Sequence, residues 1–122
     1  MRRWLVIVLL LHACKGSGAS ASPADITARA WEAHALVIGA GERAKTCAEA
    51  GPAMQQVVAD HRQAFVDAMR LDNDKAQLAA ATAYIEANES RYKDLDTRMA
   101  ALSERCADDA TVQAAFDAMS NP

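Results

Sequence analysis

His34, His61 and the methionines Met54, Met69, Met99 and Met119 are the residues of this 122-residue chain whose types invite chemistry. Imidazole and thioether are ligands for copper or for a haem iron. Their positions speak for packing instead. His61 falls on the apolar face of a helical segment and His34 flanks another such face beside Trp31. The four methionines take core-like spacings, where a flexible thioether fills gaps. No C-x-x-C-H haem-attachment run is present. Asp72-Asn73-Asp74 has the start of a calcium loop, but that loop needs an oxygen ligand and then a glycine where this chain has Ala76 and Gln77. No serine or cysteine nucleophile beside a base, no paired carboxylates in an apolar setting and no glycine-rich phosphate loop is recognisable. The residues read as a chain that is no enzyme and holds no metal or cofactor. A carrier of metal or haem, through His61 with Met54, Met99 or His34, is the alternative.

The cysteines carry more. Cys14 follows Arg2-Arg3 and the apolar run Trp4 to Leu11, and small residues come after it. These are the n-, h- and c-regions of an export signal. Eight apolar residues are too few to cross ~30 Å of hydrocarbon, which needs about 20. Leu11-His12-Ala13-Cys14 resembles the lipobox of bacterial lipoproteins. The resemblance covers the signal only. It implies cleavage before Cys14, a diacylglycerol on the Cys14 thiol, acylation of its amine and an anchor in the cell envelope. Lys15, standing where an aspartate would signal retention in the inner membrane, implies the outer membrane. A second site competes: Ala19-Ser20-Ala21 has the A-x-A form of the ordinary signal peptidase, and cleavage there would free a soluble periplasmic or secreted chain starting at Ser22. The expected organisation is a signal peptide over 1–13, a lipidated cysteine and tether over 14–22 and one helical domain over 23–119. The Gly/Ser/Ala-rich tether has an r.m.s. reach of roughly 16 Å.

Without residues 1–13 the chain has 109 residues and its formal charge goes from −3 to −5. One domain with a modest core fits that length. There is no basic stripe for nucleic acid and no polybasic cluster for an anionic bilayer, so membrane contact falls to the lipid. Alanine is abundant, and the β-branched and aromatic residues that build strands are sparse. The fold expected is all-α.

Ser22-Pro23 with Asp25 is a helix start. From Ile26 through Ala30, Ala33, Val37, Ala40 and Ala44 to Cys47, steps of four and three predict a seam of small residues, weakened by Gly39 and Gly41 and ended by Gly51-Pro52. A second helix runs from Pro52 to Leu71, followed by a turn in which Asp72 or Asn73 caps the third. The third has the most regular seam, Leu78 to Cys106, with Asn88 inside it as a register device or as a water-facing position. Cys106 to Asp109 caps a short last helix. Together these predict an up-down-up bundle of three main helices plus a short C-terminal one. Its expected core includes Ile26, Val37, Val57, Phe65, Leu78, Ile85, Leu95 and Leu102.

Export to an oxidising compartment, with Cys14 lipidated or removed, leaves Cys47 and Cys106 as the one pair to bridge. Straight helices would leave them some 20 Å apart in level at 1.5 Å per residue. The bridge therefore requires that the chain leave the helix near Gly39–Gly51, or that the third helix tilt or break near Asn88–Ser90. The function expected is that of a small, exported, lipid-anchored binding or scaffolding module, its partners the membrane and an envelope protein.

Overall fold

The computed structural model describes residues 21–122, and the Cys14 lipidation site, the signal peptide and most of the tether lie outside them. Within the described residues the chain is all-α, with no strand. Helix α1 spans Pro23–Arg43. Its start is the one expected: Pro23 takes the first position and the Ser22 hydroxyl accepts the Asp25 N–H at 3.1 Å.

Its end is not. The helix stops at Arg43, and α2 (Cys47–Asp60) begins before Gly51-Pro52 rather than after it. Thr46 caps α2 by accepting the Glu49 N–H at 3.2 Å, while the Glu49 carboxylate accepts the Lys45 N–H at 3.3 Å. Thr46-x-x-Glu49 is thus a capping pair of the S/T-x-x-E kind. Gly51-Pro52 sits inside the helix, and the pair serves packing. A Cβ on Gly51 would collide with the Thr111 side chain and approach its backbone, so the missing side chain lets another helix lie directly on α2. Pro52 is exposed and removes one backbone donor.

The expected second helix is two: α2 and α3 (Arg62–Arg70), separated by His61 with φ −114° and ψ 18°. A 3-10 turn (Leu71–Asn73) follows, and the cap of α4 (Lys75–Ala87) is Asp74, not Asp72 or Asn73, accepting from the N–H groups of Ala76 and Gln77. The expected third helix is also interrupted. Asn88 separates α4 from α5 (Glu89–Arg105), with φ −120° and ψ 30°. Its side-chain amide donates to the Tyr84 carbonyl at 2.8 Å, taking the acceptor that the Asn88 N–H would use in a continuous helix; that N–H turns to Ile85 instead. This is the competition by which asparagine ends helices. Finally Asp109 caps α6 (Ala110–Ser120) through the N–H groups of Thr111 and Val112.

Helix α2 packs chiefly on α1 and α6. Val37 and Ile38 of α1 meet Ala50 and Met54 of α2, Phe65 of α3, Leu95 and Leu102 of α5, and Val112, Ala115 and Met119 of α6 in one core. Gly41 marks a second close crossing, its absent Cβ leaving room for Met54 and Leu102. Of the eight expected core residues, Val37, Phe65, Leu95 and Leu102 are buried and Ile26 and Val57 are half-buried. Leu78 and Ile85 depart from expectation: they are 41% and 38% exposed. Only Ala81 of α4 is buried, so this helix lies on the domain by its alanine face.

Cys47 and Cys106 form a disulfide, with Cα atoms 5.6 Å apart. Both conditions for it are present. Residues 44–46 leave the helix after Arg43, which puts Cys47 at the start of α2, and Asn88 breaks the long third segment.

Candidate functional site

The residues first considered for chemistry do not converge. His61 is exposed at the α2–α3 junction rather than on an apolar face. Met54 is fully buried and Met119 nearly so, whereas Met69 is half exposed on the surface. Asp74 is spent as a helix cap. Among the described residues no group of three or more His, Cys, Asp or Glu side chains is placed to hold a metal ion. Two of the candidates, His34 and Met99, do share a site.

That site is a cleft of about 300 Å3 where α1, the end of α3 with its 3-10 turn, α4 and α5 meet. Its size lies at the low end of small-molecule pockets. The alanine face of α4 explains it. Ala81 seats the helix close on α1, so Leu78 and Ile85, one turn to either side, stand at the rim with part of their surface in water. Opposite them are Trp31, Tyr92 and Met99. The surface between is mostly carbon.

The aromatic wall is held from several sides. Trp31 and Tyr92 meet edge to face, ring centres 6.4 Å apart. The Arg91 guanidinium lies 4.2 Å over the Trp31 ring, a cation–π contact. The Tyr92 hydroxyl donates to the Thr27 carbonyl across a long 3.5 Å, and burial, helped by Tyr84, raises its pKa against the opposing charge of Arg91. The Trp31 indole N–H is buried and meets no partner among the described residues. His34 packs edge-on against Phe65 at 4.9 Å, and its Nδ1 lies 2.8 Å from the Ala30 carbonyl. A carbonyl only accepts, so Nδ1 carries the proton.

Elsewhere α5 is tied to the end of α1. Arg98 forks onto both carboxylate oxygens of Glu42, and Arg105 donates to the Gly41 carbonyl at 3.3 Å. The Arg98 hydrogen bond holds the Glu42 carboxyl below the usual carboxylate range. This is a clamp rather than a site.

Sequence reasoning missed the cleft because it placed Leu78 and Ile85 in the core. The signal was there: between Lys75 and Ala87 the large aliphatics are those two alone, with alanines around them, too little to seat a helix deeply. No helix among the described residues is long and apolar enough to cross a membrane. Compared with known proteins, the chain matches no family model, no curated protein and no solved structure.

Proposed function

We propose that this chain is a small exported protein of the cell envelope, held to the outer membrane by lipid on Cys14, that acts by binding and carries no catalytic step. The observation that carries the binding reading is the apolar cleft with Leu78 and Ile85 open at its rim. Large aliphatic side chains left partly in water around a concave apolar surface mark a place where something docks. The anchor reading rests on the leader and its lipobox. It gains support from Ser22, which caps α1. Cleavage after Ala21 would place a free ammonium group at the positive end of the α1 dipole, an unfavourable pairing.

The finer architecture belongs to the same reading. Gly41 faces Met54, His34 faces Phe65, and the cleft joins Thr27 to Ala68, so levels on α1 fall as residues of α2 and α3 advance. Tyr92 reaches Thr27 and Arg105 reaches Gly41, so levels on α1 and α5 rise together. These pairings support an up-down-up course.

An uncharged fluorescent probe, N-phenyl-1-naphthylamine, tests the binding reading. It should brighten on the folded protein, and Ile85→Asp should abolish the signal while Leu36→Asp, at another exposed aliphatic, leaves it. Equal loss in both variants, or no signal, would remove the cleft as the binding surface. Loss of membrane association in Cys14→Ala tests the anchor separately.

A further inference from the structure

We infer that the cleft takes an organic cation with an aliphatic body, of the alkylammonium type; the inference rests on the cleft being the binding surface and adds the chemistry of its ligand. The polar groups around the cleft carry the argument. Its hydrogen-bond donors are spent on the protein's own backbone. The Thr27 hydroxyl donates to the Pro23 carbonyl at 2.6 Å, the Thr82 hydroxyl to Leu78 at 2.9 Å, His34 Nδ1 to Ala30 and the Tyr92 hydroxyl to Thr27. The Trp31 N–H, buried, is closed to water. Apart from that N–H, which lies below the surface, what the lining keeps unspent is acceptor capacity. Asp72 and Asp96 both line the cleft, and among the described residues neither carboxylate has a hydrogen bond or ion pair. No lysine or arginine lines it. The nearby cation, Arg91, is exposed and occupied over the Trp31 ring.

An apolar surface carrying only acceptors and two negative charges complements a ligand with an apolar body and a positively charged donor. A carboxylate or phosphate ligand would meet like charge and find no donor at the cleft surface to replace its hydration, since the Trp31 N–H is buried beneath it, which costs affinity rather than adding it.

The test uses the mature chain from residue 14, with Cys14→Ala so that it carries no lipid; Trp4 is absent with the leader, and Trp31, a wall of the cleft, is the one tryptophan. Hexylammonium, hexanol and hexanoate are titrated in detergent-free buffer, following Trp31 fluorescence. Hexylammonium should saturate the signal and bind at least about fivefold more tightly than hexanol, the discrimination that one carboxylate at ~4 Å supplies even in bulk water. Each added methylene should tighten binding by up to about fourfold until the cleft is full. Asp72→Asn with Asp96→Asn, both at exposed positions, should erase the preference for hexylammonium and leave hexanol binding unchanged, with the far-UV spectrum intact. Equal binding of hexylammonium and hexanol, or tighter binding of hexanoate, would overturn the ligand class while leaving the cleft as an apolar binding surface. No saturable change with any of the three would take the cleft reading down as well.

Discussion

Residues that look alike in the sequence carry different weights in this fold. Leu78 and Leu95 belong to one regular seam, on its two alternating rows, yet Leu95 is 5% exposed and Leu78 41%. Truncation of Leu95 to Ala should cost about 2–5 kcal/mol, the range for an aliphatic side chain removed from a closed core. Leu78→Ala should cost under about 1 kcal/mol, as partly exposed surface positions do. Urea denaturation of both variants separates them, and equal losses would show that α4 is seated more deeply than described. Gly51 is the opposite case, a residue important for what it lacks. Gly51→Ala gains helix propensity, about 1 kcal/mol in an open helix. Here the new methyl would strike Thr111. Overpacking of this kind costs about 1–3 kcal/mol, so the variant should be less stable than the parent in the same measurement.

At the scale of elements, caps were more legible than breaks. Ser22-Pro23 and Asp109 begin helices with side chains that accept the orphan N–H groups, and such residues announce themselves locally. Thr46-x-x-Glu49 is just as local, but Gly51-Pro52 five residues later is a stronger breaker on propensity alone and masked it. Its tolerance depends on α6 lying against Gly51, a contact no local rule supplies. Asn88 sat visibly in the third segment, but whether its amide would meet a partner, water or its own helix depends on packing around Tyr84. The cleft was hidden for the same reason, because it is the space left by a helix that sits on its alanines. Between elements, the Glu42–Arg98 fork gives a pH signature. Arg98 favours ionised Glu42 in the folded chain, so its contribution is present above the ordinary carboxylate pKa of 4.5 and is lost as acid protonates the group. Both side chains are partly exposed, which limits the effect to under about 1 kcal/mol. Glu42→Gln should therefore narrow the difference between urea midpoints at pH 7 and pH 3, and an unchanged difference would show that the fork adds nothing.

For the molecule as a whole the disulfide dominates. It closes a loop with a sequence separation of 59, worth roughly 4 kcal/mol in the chain-entropy account. That is a large share of the 5–15 kcal/mol of a typical domain. Reduction should lower the denaturation midpoint accordingly, and a midpoint indifferent to reductant would mean the unfolded chain is already restrained without the bond. The expected bridge between Cys47 and Cys106 is present, and the helix geometry that opposed it located the two departures from regular helix that make it possible.

The bridge also decides how the protein bears load. Cys47 opens α2 and Cys106 closes α5, so α2, α3, α4 and α5 belong to a covalent ring from which α1 and α6 emerge as tails. Tension between an anchor at the amino end and a partner gripping α6 would pass from one tail through two sulfur atoms into the other. It would peel α1 and α6 away while a contour of roughly 200 Å stays slack inside the ring. Three of the four sides of the cleft lie in that sheltered stretch. The fourth is α1, so a pull on the anchor would open the site before it strained the rest.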